Sequence, residues 1–257
     1  MNALNDRSPG PMFQPDEPLL SVRHLSAWYG RAQALFDVSF EVRRGEVVAL
    51  MGRNGAGKST TMKSIMGMID RREGSVRFMD AELLDCSTHE IARTGLGFVP
   101  EDRRIFTELT VLENLEVGRQ AARRWSDGSD VPCWTHEKIF SLFPNLGEMP
   151  HRPGGRMSGG EQQMLTVART LMGNPYLVML DEPSEGVAPV IVEQMAQMVL
   201  SLKRQGVSIL LSEQNLFFAN MVCDRAYVLD KGQVCFSGTM DELANDERVR
   251  QAHLGAT

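Results

Sequence analysis

Residues 46–59 read Glu-Val-Val-Ala-Leu-Met-Gly-Arg-Asn-Gly-Ala-Gly-Lys-Ser. The first six, nearly all apolar and flanked by Gly45 and Gly52, have the pattern of a short buried strand. The next eight match the phosphate-loop pattern G-x-x-x-x-G-K-[ST]. Met62, Ile65, Met66 and Ile69 then recur at helical spacing. Glycines let such a loop turn tightly, so that its N–H groups point inward at an anion. The helix that follows aims its positive dipole end at the same place. Lys58 brings a full charge to β- and γ-phosphates, and Ser59 brings a hydroxyl to Mg²⁺.

A second element downstream supports this reading. Leu177-Val178-Met179-Leu180-Asp181-Glu182 is an apolar strand with two carboxylates at its C-terminal end, where open α/β sheets bind ligands. Asp181 there can hold Mg²⁺ through water, and Glu182 is placed to polarise an attacking water as a general base. Around these strands the chain alternates. Met164, Val167, Ala168, Leu171 and Met172 form one helical stripe, ended by Gly173-Asn174-Pro175. Ile191, Met195, Met198, Val199 and Leu202 form another, and Val207 to Leu211 is again a strand. Such alternation predicts an α/β fold with a mainly parallel sheet flanked by helices. Short alternating strands are expected at Ser21–Arg23, Val38–Val42 and Arg77–Met79. A closing hairpin is expected from Tyr227 to Phe236 around Asp230-Lys231-Gly232. The stretch from about residue 86 to 156 reads as an inserted helical subdomain. Residues 1–18, with Pro9, Pro11, Pro15 and Pro18, read as a disordered tail, leaving 19–257 as one domain.

Composition excludes several classes. The chain has 257 residues, 42% of them hydrophobic and 23% charged, and a net charge of −6. A core this large needs no disulfide or structural metal. A mild acidic balance is no footprint for nucleic acid, and none is expected as a partner. Cys86, Cys133, Cys223 and Cys235 form no CxxC pair, and the five histidines form no pair at ligand spacing. No apolar run approaches the roughly 20 residues of a membrane span, and the N-terminus is not a secretory signal. The expectation is a soluble, cytosolic chain that reaches a membrane only through a partner.

A third motif narrows the class. Met157-Ser158-Gly159-Gly160-Glu161-Gln162-Gln163 opens the first helical stripe. Ser158 and Glu161 fit a capping box, but a cap does not account for two glycines, which again expose N–H groups to an anion. Here the sequence resembles the nucleotide-binding subunits of ATP-binding cassette (ABC) transporters, whose signature is Ser-Gly-Gly-Gln or Ser-Gly-Gly-Glu. The three motifs stand in family order, and the resemblance runs from about Leu19 to Leu254. It implies a P-loop nucleotidase with an N-terminal antiparallel β-subdomain and an inserted helical subdomain. It also implies ATP and Mg²⁺. ATP would lie on Gly52, Arg53, Asn54, Gly55, Ala56, Gly57, Lys58, Ser59 and Thr60, and in trans against Ser158, Gly159, Gly160 and Glu161 of a second ATPase subunit.

The resemblance assigns three further residues. Tyr29, in Trp28-Tyr29-Gly30, matches an aromatic that stacks on adenine; an edge-strand aromatic is the alternative. Glu101, in Phe98-Val99-Pro100-Glu101, stands where a glutamine is usual and could hold Mg²⁺ or order the attacking water. Gln214 stands where a switch histidine is usual, which would make it catalytic beside Lys58 and Glu182. The alternative is that Glu101 and Gln214 are surface residues with no role. Ser184-Glu185-Gly186 replaces the usual Ser-Ala-Leu-Asp of the dimer-contact loop.

These departures match one branch. Pro100-Glu101-x-Arg103-Arg104-x-Phe106, Leu109-Thr110-Val111-x-Glu113-Asn114-Leu115, Gly186-x-Ala188-Pro189 and Glu213-Gln214-Asn215 are similar to branched-chain amino-acid import ATPases of the LivF type. The resemblance therefore implies a bacterial importer for branched-chain or related hydrophobic amino acids. Its other parts would be transmembrane permease subunits, a second ATPase subunit (a paralogue or this chain itself) and, indirectly, a periplasmic or extracellular solute-binding protein. The chain would then sit peripherally on the inner face of the cell membrane. A urea or amide importer is the near alternative. Lipopolysaccharide-export ATPases carry the histidine that Gln214 replaces. Repair-type ATPases would need a heptad run between Ser59 and Ser158, which is absent.

Overall fold

Two sheets share one core, and the strands that carry the motifs lie in the larger. The computed structural model describes residues 17–255, so residues 1–16 of the expected tail lie outside it. The smaller sheet is antiparallel, with strand order β2-β1-β4-β5: β1 (Leu20–Tyr29), β2 (Ala32–Val42), β4 (Arg71–Phe78) and β5 (Ala81–Glu82). The larger has the order β10-β9-β3-β8-β7-β6, with β3 (Val47–Met51), β6 (Leu96–Val99), β7 (Leu177–Asp181), β8 (Ser208–Glu213), β9 (Arg225–Asp230) and β10 (Gln233–Thr239). Every neighbouring pair in it is parallel except β9 and β10, which form the expected closing hairpin.

Parallel strands with both faces covered read as unbroken apolar runs, and β3, β7 and β8 show why. Val47, Ala49, Met51, Val178, Leu180, Ile209 and Leu211 face one apolar cluster. Val48, Leu50, Leu177, Met179 and Leu210, the alternate residues, face the other. On the second face lie α1 (Lys58–Ile65), α2 (Thr88–Arg93) and the antiparallel sheet. On the first lie α6 (Gly159–Leu171), α7 (Pro189–Arg204) and α8 (Leu216–Val222), with α3 (Val111–Gly118), α4 (His136–Leu142) and α5 (Pro144–Gly147) packed beyond α6. Short helices α9 (Met240–Asn245) and α10 (Glu247–Val249) end the chain.

Two local readings differ from the structure. The stretch 86–156 is not helical throughout, because Leu96–Val99 forms β6, the edge strand beside β7. Glycines at 95 and 97 hide this strand from a pattern search. A Cβ at Gly97 would lie 2.8 Å from Thr170 Cγ2, so the glycine lets β6 close on α6. Helix α1 stops at Ile65, and Ile69 joins the same core from the loop beyond it.

Candidate functional site

The loop from Gly52 to Gly57 connects β3 to α1. Gly52 has φ 150°, and a Cβ there would lie 2.5 Å from the Leu229 carbonyl oxygen. Gly57 is left-handed at φ 109°, and a Cβ there would meet Leu35 Cδ2 at 2.9 Å. Backbone approach therefore requires glycine at both ends of the loop. The turn between β9 and β10 presses on the loop from outside: the Gly232 N–H donates to the Ala56 carbonyl at 2.9 Å. A cavity of about 330 Å³ opens over the loop, lined by Gly55, Lys58, Ser59 and Thr60 together with Phe36 and Lys231.

Lys58 is almost wholly buried. Its Nζ donates to the carbonyls of Gly52 (2.8 Å) and Arg53 (3.2 Å) and pairs with Glu182 Oε1 at 2.9 Å. Ser59 Oγ donates to Asp181 Oδ1 at 2.9 Å, and Ser212 Oγ donates to the same oxygen at 2.6 Å. The other Asp181 oxygen, Oδ2, is buried with no hydrogen-bond partner. An orphaned buried carboxylate oxygen beside a serine hydroxyl suits the hydrated hard cation that accompanies a nucleoside triphosphate. Ser59 and Asp181 are thus the residues that could hold Mg²⁺.

Charge in this cluster is shaped by burial. It pushes the Asp181 carboxyl up, against the hydrogen bonds from Ser212 and Ser59. Burial also pushes Glu182 up, but the hydrogen bond with Glu185 and the Lys58 ammonium outweigh it, so Glu182 sits below the usual carboxylate range. Glu185 takes the opposite course. Its hydrogen bond to Glu182, then burial, then the charges of Glu182 and Glu101 push it up to about 7. Glu182 is also left-handed, at φ 46°. This sparsely populated conformation is held by its N–H, which donates to Ser212 Oγ at 2.9 Å.

The remaining residues expected at the site stand apart from this cluster. Tyr29 is half exposed, with its hydroxyl 3.4 Å from Thr60 Oγ1. Ser158 caps α6 through the expected capping box: its N–H donates to Glu161 Oε2 at 2.7 Å, and the Glu161 N–H donates back to Ser158 Oγ at 3.4 Å. Gly159 lies under the Arg103 guanidinium and Gly160 against Ile191 of α7. Glu101 is exposed, and its charge is felt at Glu185. Gln214 is exposed between β8 and α8, in a small cavity it shares with Arg250, Gln251 and Leu254. Among the described residues, neither Glu101 nor Gln214 joins the hydrogen bonds that link Lys58, Ser59, Asp181 and Glu182. Sequence reading missed Lys231, Ser212, and the contacts of Glu185 and Glu213. Only the last two carried a signal, as acids beside motif residues.

The ABC transporter family profile matches residues 35–185. The chain is 43% identical over 237 residues to the high-affinity branched-chain amino acid transport ATP-binding protein BraG of Pseudomonas aeruginosa, covering 92% of this chain and 100% of that one. It is 32% identical to the probable branched-chain amino acid transport ATP-binding protein LivF of Archaeoglobus fulgidus, over 92% and 99% of the two chains. It is likewise 32% identical to the lipopolysaccharide export ATP-binding protein LptB of Escherichia coli, over 92% and 97%. Among solved structures, a nucleotide-free ATP-binding cassette from an ABC transporter superposes with a TM-score of 0.74 at 28% identity, covering 91% of this chain and 97% of that one. Its phosphate loop, its acid-ended strand and its glycine-bearing helix start stand in one fold with these relatives, and the chain belongs to the ABC transporter family of ATP-binding subunits.

Proposed function

We propose that this chain hydrolyses ATP to drive import of branched-chain or related hydrophobic amino acids. The observation that carries the solute class is the full-length 43% identity to BraG, against 32% for LptB. Lys58, Ser59, Asp181 and Glu182 are the residues on which the chemistry rests. In the free chain the Lys58 ammonium is held by Glu182 at 2.9 Å. Phosphates arriving on the loop compete for that ammonium and release Glu182 as a base for the attacking water. Glu182 takes the water's proton as oxygen attacks the γ-phosphorus and ADP leaves. Gln214 donates an amide hydrogen bond at the γ-phosphate without changing charge. Ser59 and Asp181 would hold Mg²⁺, which would supply charge neutralisation to the phosphates; Glu101 is a further candidate for its hydration shell. Tyr29 stacks on adenine.

Ser158, Gly159, Gly160 and Glu161 serve the ATP of a second cassette, a copy of this chain or a paralogue. Closure of the pair then depends on bound ATP, and hydrolysis removes the bridge. The membrane partners are permease subunits. A groove of about 640 Å³ suits them, with Phe98, Phe106 and Val117 beside Arg93, Arg123 and Arg169. No helix among the described residues is long and apolar enough to cross a membrane, so attachment to the inner face runs through those subunits, and any solute-binding protein acts at one remove. The test is co-purification with the permeases, reconstitution in vesicles and measurement of ATP-driven uptake. Uptake of leucine, isoleucine or valine supports the proposal. Uptake of urea or short amides instead moves the chain to the neighbouring importer class. Failure to bind any membrane subunit overturns the transport reading.

A further inference from the structure

Glu213 ends β8 and is 1% exposed. A buried carboxylate is costly unless its oxygens are met by donors. Here the donors are three backbone N–H groups together with the Ser184 hydroxyl, and they come from two different loops. Oε1 accepts the N–H of Ser184 at 3.2 Å, in the loop that follows Glu182. Oε2 accepts the N–H groups of Gln214 and Asn215, each at 3.1 Å. Burial pushes the Glu213 carboxyl up, and these bonds offset only part of that rise. Its neighbour Ser212 makes the matching connection one residue earlier, donating to Asp181 and accepting from the Glu182 N–H. Asn215 in turn accepts the Phe218 N–H at 3.1 Å and caps α8. Gln214 is therefore exposed in its side chain but pinned in its backbone, between the Glu213 carboxylate and a helix cap.

We propose that Glu213 is a positioning residue for hydrolysis, fixing the Ser184–Glu185 loop and the Gln214 backbone to one another at the end of β8. The inference rests on the proposed reading of Gln214 as the residue that meets the γ-phosphate. An apolar side chain would fill the same space more cheaply, but only a two-oxygen acceptor can hold both loops at once. One carboxylate then sets where Gln214 stands relative to Glu182 and its proton-sharing neighbour Glu185. An error of about 1 Å in such a placement can cost on the order of 100-fold in rate.

The test compares Glu213→Gln, Gln214→Ala and the double variant. Glutamine keeps the volume but turns an NH₂ toward one of the two loops, so it can hold only one of them. The expected result for Glu213→Gln is a fall in kcat of about tenfold or more, with the KM for ATP within about twofold of the wild type. Monomer affinity for ATP should be kept, because the phosphate loop is untouched. The double variant should be no slower than Gln214→Ala, since both changes remove the same placement. Unchanged kcat in Glu213→Gln overturns the inference. So does a parallel loss of kcat, ATP affinity and thermal stability, which marks a merely structural strand end, and so does strict additivity in the double variant. Full turnover in Gln214→Ala alone is a separate result: it refutes the γ-phosphate reading of Gln214, and the inference falls with it. Should Glu213→Gln not fold, Glu213→Asp keeps the charge and withdraws it by one methylene. It should lose kcat in the same selective way, and wild-type kcat there overturns the inference.

Discussion

The phosphate loop and the start of α6 are both glycine-bearing entries to a helix, yet they are finished differently. At the loop, the Lys58 ammonium and the Ser59 hydroxyl meet two carboxylates at and just beyond the end of β7: Lys58 pairs with Glu182 and Ser59 with Asp181, each at 2.9 Å. At α6, Ser158 and Glu161 satisfy one another, and Gly159 and Gly160 lie in a first turn whose N–H groups have no carbonyl one turn back. No acid or lysine of the β7 cluster reaches them among the described residues. The first region gathers an ammonium, a hydroxyl and two carboxylates within one chain; the second offers backbone N–H groups beneath the Arg103 guanidinium and stands apart from that cluster. On the proposed reading, a site divided in this way makes nucleotide binding a property of the monomer and turnover a property of the pair.

Removing the base tests the first region most severely. Glu182→Gln keeps the shape and should lower turnover by about 10²- to 10⁴-fold, while ATP still binds and traps a closed dimer. Steady-state ATPase at the wild-type level in a pure sample would break the assignment. Ser158→Arg tests the second region. It should leave nucleotide affinity of the isolated monomer nearly intact and abolish ATP-driven closure and turnover, through bulk and charge at the γ-phosphate. A monomer that no longer binds nucleotide would show that Ser158 serves its own chain, and the comparison between the two regions would collapse.

Gln214 belongs to neither region, and its effect is expected to be smaller. An unperturbed histidine titrates near pH 6.5, whereas an amide does not titrate. Gln214→His should therefore add to the pH–rate profile a titration near pH 6 to 7 beyond the one that Glu185 gives to all three proteins. Superimposable profiles for all three proteins would place the side chain away from the reacting phosphate.

The contrast between the regions also explains what was legible in the sequence. Motif spacing and apolar runs identified β3, β7, α1, α6 and the residues between them, because local pattern and tertiary role coincide there. Ser158 and Glu161 were legible as a cap for the same reason. Strand β6 was not, because close packing on α6 demanded glycine where a strand pattern demands a side chain. Ser212 was not, because its importance comes from the parallel register that sets Asp181 opposite it, and register is not written in either strand alone. The Lys58–Glu182 pair was hidden for a further reason: each residue was read by its role toward a ligand and not by its contact with the other.

Glu185 carries the smallest expected effect, and it bears on how the two regions communicate. It lies in the loop after Glu182, and its carboxyl is pushed up to about 7, first by the hydrogen bond to Glu182, then by burial and by the charges of Glu182 and Glu101. In the unfolded chain the same group titrates near 4.3. A carboxyl whose folded pKa is raised binds its proton more tightly in the native state. Its stabilising contribution is fully present below about pH 4, declines as pH rises, and is lost above about pH 7. Because the side chain is largely exposed, solvent screens much of this and the change should be modest. Nucleotide-free wild type should therefore lose thermal stability between about pH 4.5 and 7.5 relative to Glu185→Gln, which has no proton to lose. The difference between the two unfolding midpoints, followed across that range, isolates Glu185 from every group that the two proteins share. Bound ATP should flatten the difference, because drawing Lys58 to the phosphates changes the charge that Glu182 presents to Glu185. Parallel midpoint curves for the two proteins without nucleotide would show that the Glu185 carboxyl is not held up by Glu182 in the folded chain.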